Sequence, residues 1–348
     1  MTEVGGWRPS LRRGPRTGTA LLLLLLAATL VGCSSQALPP PLSAGSTVSG
    51  VAASGDADTT LVRVAALKGP TGMGLAALIH DHPGTVEATI RGTPDEVTGR
   101  LVKGDLDVAL VPANLAAVLA AKTDGGVQAV AVTTLGVLYV VERGEAVHAL
   151  ADLAGKTVLT TGKGTTPQYV ADHILAGAGL TDRVSLDYRS ESTEVTAALA
   201  SGQADLGILP EPYVSTLMAK DPSIRVALDL TAEWDAVTPD SSLVTGVMVV
   251  RSQFAIDHPL ALRGFLDDYA ASVSFTNDHP DQAAPLIAGL GIVPSREVAV
   301  TAIPRCHIVN ITGSEMKIAL SGYLQVLFDA DPAAVGGALP GDTFYYGV

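Results

Sequence analysis

Glu96-Val97-Thr98-Gly99-Arg100-Leu101-Val102-Lys103-Gly104-Asp105-Leu106-Asp107-Val108-Ala109-Leu110-Val111-Pro112 runs in step with Glu194-Val195-Thr196-Ala197-Ala198-Leu199-Ala200-Ser201-Gly202-Gln203-Ala204-Asp205-Leu206-Gly207-Ile208-Leu209-Pro210. Glu, Val, Thr, Leu, Gly, Asp and Pro recur at seven places, each pair 98 residues apart. Each stretch reads as a helix, a Gly that ends it by accepting a left-handed backbone, an Asp, and a strand closed by Pro. The strand is apolar throughout, as expected where helices cover both sheet faces. Seven matches at one offset predict two similar lobes.

Outward from the echo, strands and helices alternate. Residues 61–67, 85–91 and 107–111 read as strands, and 75–80 and 94–103 as helices, with a turn at Gly69-Pro70-Thr71-Gly72-Met73-Gly74. Strands at 156–160 and 184–188 flank the polar turn 161–166 and a helix at 167–176. This order implies parallel βαβ units. The fold class expected is α/β, with two lobes built on central mixed, mostly parallel sheets and a ligand cleft between them. In open α/β sheets ligands bind beyond the carboxyl ends of the strands, so facing lobes make a cleft for a small molecule. Residues 244–250 read as a strand returning to the first lobe, followed by helices at 260–276, 281–290, 295–302 and 314–328. The division expected is 60–144 with 246–348 as lobe 1 and 145–245 as lobe 2. Crossings near 143–146 and 242–246 would form the hinge.

Upstream of the fold, Arg8, Arg12, Arg13 and Arg16 precede an apolar run from Leu21 to Val31. That run is shorter than the roughly 20 residues of a spanning helix, and it suits a signal peptide over residues 1–32. Leu30-Val31-Gly32-Cys33 resembles a bacterial lipobox, which implies cleavage before Cys33 and lipid on its thiol. The Arg12-Arg13 pair leaves Sec and twin-arginine export both open. Residues 33–59, rich in Ser, Ala, Gly and Pro, read as lipid anchor and flexible tether.

Of 348 residues, 47% are hydrophobic but only 4% aromatic, so the core must be built from Ala, Val and Leu. The formal charge is −13, and without residues 1–32 the chain keeps 18 basic and 34 acidic residues. Such a surface disfavours nucleic acid. With Cys33 acylated, Cys306 stands alone and reads as a small buried residue or a reactive thiol. The seven His residues show no metal-ligand spacing, and no Gly-x-Ser-x-Gly elbow occurs. No catalytic residue, metal or cofactor is expected.

Candidate ligand contacts follow from the strand ends. Gly69, Pro70, Thr71, Gly72 and Met73 form a loop before a helix start, where glycines admit close approach and N–H groups favour an anion; a plain tight turn is the alternative. Gly162, Lys163, Thr165 and Thr166 are the counterpart in lobe 2, with Lys163 equally readable as a solvated charge. Asn114 reads as a ligand contact or a helix cap. Thr134, near a strand start, could line the cleft. Glu211 reads as a partner for an N–H-bearing group or as an exposed loop acid. With few aromatics to stack a sugar, the pair of Gly/Thr-rich loops favours a small anionic solute.

The Gly69–Gly74 loop, residues 104–112, Asp152-Leu153-Ala154-Gly155-Lys156-Thr157-Val158 and Glu211-Pro212 resemble type II periplasmic solute-binding proteins of ABC importers, nearest the nitrate/sulfonate/taurine and thiamine-precursor receptors. The C-terminal Gly336-Gly337-x-Leu339-Pro340-x-Asp342-x-Phe344-Tyr345-Tyr346 resembles a lipoprotein subgroup sharing the Gly-Pro-Thr-Gly-Met-Gly loop. The resemblance covers about residues 60–348 and does not reach the ligand loops residue by residue. It implies a monomeric receptor held at the outer face of the cytoplasmic membrane, serving a permease and its ATPase. The alternatives are a same-fold enzyme of menaquinone or thiamine-precursor metabolism, which a lipobox disfavours, and a sensory surface lipoprotein.

Overall fold

The structure is a computed structural model and describes residues 60–348. The expected signal peptide, Cys33 and the whole of the expected tether lie outside the described residues.

The first sheet begins with β1 (Val62–Leu67), β2 (Val86–Arg91) and β3 (Val108–Pro112), all parallel. Between them lie a one-turn helix α1 (Pro70–Met73), α2 (Ala76–Asp81) and α3 (Pro94–Lys103). After α4 (Ala113–Lys122), β4 (Val127–Thr134) joins the same sheet. The chain then leaves for the second sheet: β5 (Leu138–Arg143), β6 (Thr157–Thr161), β7 (Ser185–Arg189), β8 (Leu206–Pro210) and β9 (Ile224–Asp229). Helices α5 (Thr166–Gly177), α6 (Ser192–Ala200), α7 (Tyr213–Lys220) and α8 (Leu230–Val237) cover that sheet. The chain returns through β10 (Gly246–Arg251), antiparallel to both β3 and β4. The remainder is α9 (Ser252–Asp257), α10 (Pro259–Asp278), α11 (Pro280–Gly289), α12 (Arg296–Ala302), β11 (Ile308–Ile311) and α13 (Gly313–Ala330).

The strand orders are β2-β1-β3-β10-β4-β11 and β7-β6-β8-β5-β9. They share a plan: three parallel strands, one antiparallel strand borrowed from the crossing, then two more in the first sheet and one more in the second. One expectation is corrected here. The sequence reading puts residues 138–143 in lobe 1, but β5 pairs with β8 and β9, so the first crossing is residues 135–137, not 143–146. A run as apolar as Leu138-Tyr139-Val140-Val141 fits the centre of either sheet, and only pairing decides. The second crossing, residues 238–245, overlaps the expected 242–246.

The echo is built as read. Val97 and Leu101 on α3 and Val195 and Leu199 on α6 are fully buried. Gly104 (φ +81°) and Gly202 (φ +74°) end the helices in the left-handed region. Glu96 accepts the Thr93 N–H (3.1 Å) and Glu194 the Ser190 N–H (3.0 Å), so each carboxylate covers an orphan donor at its helix start. Asp107 is buried and bound by Arg63 of β1 (2.9 and 2.7 Å) and Arg251 of β10 (2.7 Å). In the second lobe Arg143 of β5 approaches Asp205 at 3.3 Å. Both arginines also donate their N–H to the Asp carbonyl, Arg251 at 2.9 Å and Arg143 at 2.7 Å. The 98-residue offset could not reveal this Arg pair, because the antiparallel strand precedes its partners in one lobe and follows them in the other.

On α13, Leu320, Tyr323, Leu324 and Leu327 are buried at helical spacing. Each buried Leu contributes about 1.5–3 kcal/mol. The segment after α13 returns over β4: Tyr346 N–H donates to Ala129 O (2.9 Å) and Gln128 to Thr343 O (2.9 Å). Cys306 is fully buried beside Met73, Sγ to Sδ 3.5 Å, and burial pushes its thiol well above the ordinary range. That is the small-residue reading rather than the reactive one. No helix among the described residues is long and apolar enough to cross a membrane.

Candidate functional site

The carboxyl ends of β1, β3 and β4 face those of the second sheet, and a chamber of about 130 Å³ lies between them. Four prolines shape it: Pro112 and Pro210 end the echoed strands, while Pro70 and Pro167 stand in the first turns of α1 and α5. Leu67, Val137 and Leu138 add apolar wall, and Thr71, Thr134, Thr166 and Thr245 add hydroxyls. Lys68, directly after β1, is the charged residue on the wall.

The threonines are not equivalent. Thr71 Oγ1 donates to Leu67 O (3.2 Å), Thr166 Oγ1 to Asn114 Oδ1 (3.3 Å), and Thr245 Oγ1 to Leu135 O. Thr134 Oγ1 is buried with no partner. Gly246 lets Thr134 and Thr71 converge: a Cβ there would stand 2.9 Å from Thr134 Oγ1 and 3.0 Å from Thr71 Cγ2.

Two sets of contacts join the lobes beside the chamber. Asn114 of α4 is buried; its Nδ2 donates to Ala334 O (3.2 Å) and Gly164 O (3.4 Å), while Oδ1 accepts from Thr166. On the other side Glu211, after β8, lies 3.5 Å from Arg305, which precedes β11. Tyr139 OH donates to Arg305 O (3.3 Å). Glu211 is fully buried and accepts from Ser215 N–H (3.1 Å) and Oγ (3.0 Å). Burial pushes its carboxyl above the ordinary value of 4.5, against the Ser215 bonds and Arg305, which pull it down.

Of the residues singled out from sequence, Pro70, Thr71, Thr134 and Thr166 come together on the chamber wall. Thr134 stands at the end of β4, four residues before β5 begins at Leu138. The others sit elsewhere in this structure. Met73 is fully buried on the Cys306 side. Gly72 packs against β1, where a Cβ would lie 2.8 Å from Leu67 O. Gly69 (φ +137°) precedes α1. Gly162 (φ +79°) and Thr165 form the turn before α5, Thr165 Oγ1 donating to Gly162 O (2.8 Å). Lys163 is exposed. Asn114 and Glu211 bridge lobes, so neither the capping nor the exposed-acid alternative describes them. Sequence reading missed Lys68, Val137, Leu138, Thr245 and Gly246. Val137 and Leu138 flank the first crossing, and a correct first crossing would have pointed to them; Thr245 and Gly246 flank the second.

A larger hollow of about 530 Å³ lies between α5, β7 and the end of α13, with Tyr169, Asp172, Tyr188 and Asp331 on its walls. No strand of the first sheet reaches it, so position rather than volume selects the chamber. Among the described residues no group of His, Cys, Asp and Glu could hold a metal ion.

A family model described as ABC transporter, phosphonate, periplasmic substrate-binding protein matches residues 77–272, more than half of the chain. No curated protein matches. Among solved structures, an ABC transporter from Parabacteroides distasonis is similar at 24% identity and TM-score 0.70, over 82% of this chain and 98% of that one. The alkanesulfonate-binding protein SsuA from Xanthomonas axonopodis pv. citri, bound to MOPS, is similar at 15% identity and TM-score 0.63, over 81% and 95%. The periplasmic nitrate-binding protein NrtA from Synechocystis PCC 6803 is similar at 12% and 0.52, over 74% and 75%. At these identities the likeness is one of fold.

Proposed function

The chain belongs to the phosphonate-binding family of periplasmic substrate-binding proteins of ABC transporters, and from that premise we propose that it is a lipid-anchored receptor for a small anionic solute. Proteins of this class bind small ligands and work with a membrane permease and its ATPase. The observation that carries the reading is the chamber itself: it opens at the carboxyl ends of strands from both sheets, so a solute held there touches both lobes at once. Such a solute stabilises the closed arrangement by its differential affinity for it. The closed form then docks on the permease as a monomer. The ligand surface runs over Pro70, Thr71, Thr134 and Thr166, with Lys68 supplying positive charge.

Cys33 is the anchor, reached through the tether of residues 33–59. The low aromatic content and the hydroxyl-bearing wall favour an anion over a sugar. A thermal-shift panel of phosphonates, sulfonates, nitrate and neutral sugars tests the ligand class. The reading predicts that an anion raises the melting temperature; stabilisation by a neutral sugar alone would contradict it. In cells, globomycin should block processing, and Cys33→Ser should release the protein from the membrane.

A further inference from the structure

The hollow of about 530 Å³ between α5, β7 and the end of α13 exists because the two lobes are finished differently. In lobe 1, Ala88 and Ile90 of β2 pack on the core. Ile292, after α11, reaches the same spot: a Cβ on Gly72 would lie 3.1 Å from Ile292 Cδ1 and 3.4 Å from Ile90 Cδ1. Leu186 and Tyr188 of β7 stand 98 residues later, at the matching places. Lobe 2 has no counterpart of α11 among the described residues. Only the end of α13 reaches over α5 and β7, and a hollow remains above Leu186 and Tyr188.

Its wall combines Leu175, Leu186 and Leu327 with two tyrosines, Tyr169 and Tyr188, and two carboxylates, Asp172 on α5 and Asp331 after α13. Burial raises the Tyr169 phenol first, then the charges of Asp331 and Asp172, so both carboxylates act on that ring. Burial and then Asp172 raise Tyr188. None of the wall residues is Lys or Arg. His173 Nε2 is bonded to Thr238 Oγ1 (2.6 Å), and burial holds its pKa below 6.5, so it brings no positive charge at neutral pH. Asp172 accepts from Gln168 Nε2 (3.1 Å) and Asp331 from Ala333 N–H (2.9 Å), and neither has an ion-pair partner among the described residues. Asp172 is exposed on this wall, yet desolvation lifts its carboxyl above 3.8, against the Gln168 bond. It is a carboxylate partly out of water with no cation to offset the loss.

We propose that this hollow is a second ligand site, outside the cleft, for a small organic ammonium ion. The nitrogen meets Asp172 and the rings of Tyr169 and Tyr188, where cation–π attraction adds to charge, and the apolar body lies on Leu175, Leu186 and Leu327. Small-molecule sites are commonly about 300–1,000 Å³; the hollow falls in that range and the chamber, at about 130 Å³, does not. Helix α5 joins the two sites, carrying Thr166 at its start to the chamber and Asp172 farther along to the hollow. The occupants are opposite in charge, so the second site does not compete for the solute of the first.

Calorimetry on the whole protein at neutral pH tests it with benzylamine, which is a cation there, beside neutral benzyl alcohol and anionic benzoate. Benzylamine should bind, and the other two should bind about tenfold more weakly or not at all. Asp172→Asn should weaken benzylamine by about three- to tenfold, and Tyr188→Leu, which keeps the apolar wall but removes the ring, by a similar factor. Asp172 is exposed, so its amide variant should keep the melting temperature and carries the test if Tyr188→Leu does not fold. Benzyl alcohol binding as tightly as benzylamine would overturn the ammonium class. Full benzylamine binding by Asp172→Asn with Asp331→Asn would place the amine elsewhere on this acidic chain and overturn the site. No binding of benzylamine up to about 10 mM, weaker than −3 kcal/mol, would overturn it too. So would binding of a lysine-rich peptide without benzylamine, which would make the hollow a protein-docking surface. None of these results bears on the anion reading of the chamber.

Discussion

Glu211 is a carboxylate with no exposed surface at the meeting of two lobes, and its charge is met by Ser215 and, at 3.5 Å, by Arg305. Burial outweighs these partners and holds its pKa above 4.5. A raised acid pKa means the folded protein binds this proton more tightly than the unfolded chain does. Its stability contribution is therefore greatest below pH 4.5 and declines as pH rises toward the raised value, with no further change above it. Glu211→Gln should flatten that part of the stability profile, measured by urea denaturation between pH 4 and 8. An unchanged slope in the variant would place the titration elsewhere. At this scale the sequence offered Glu211 as a loop acid or a ligand contact; neither reading could foresee Arg305, which lies 94 positions away in the chain and meets it only after both crossings are made. Asp107 was legible as an echoed residue, but the difference between it and Asp205 was not. Arg63 and Arg251 enclose the first, whereas the second remains largely exposed.

Elements were the most readable level, because their signals are local. Helix α3 spans Pro94–Lys103, as its Pro start and Gly stop implied, and the long α10, α11 and α13 fall on the stretches where apolar residues recur at helical spacing. The echoed glycines are the sharpest case. Both have φ near +80°, and a Cβ at either would meet no atom within 4 Å, so backbone conformation alone demands Gly. Gly104→Ala and Gly202→Ala should each cost about 1–2 kcal/mol, read as paired shifts in the denaturation midpoint. A neutral outcome at either site would show that its helix ends differently. What elements withheld was their pairing. The β5 sequence carries no mark of which sheet it enters, and that single ambiguity misplaced the first crossing and hid Val137 and Leu138 from the site.

For the whole molecule, the echo implied two lobes and a cleft, and the family and the sheet orders agree with that reading. The contacts across the cleft were not legible, since each joins residues far apart in sequence. Asn114 alone ties α4 to the turn before α5 and to the segment after α13. The bonds to Gly164 O and from Thr166 cross between the lobes, so on the proposed closure mechanism Asn114→Ala should weaken solute binding by about five- to thirtyfold, one to two net hydrogen bonds' worth, and faster dissociation should be seen by stopped-flow. Equal affinity would mean that closure does not depend on this amide. The account as a whole turns on the chamber between the lobes. Native mass spectrometry of the protein purified from its own cells, beside a Thr134→Trp variant that fills the chamber, tests this most directly. The prediction is a small-anion adduct on the native protein and none on the folded variant; the same adduct on both would place the ligand outside the cleft.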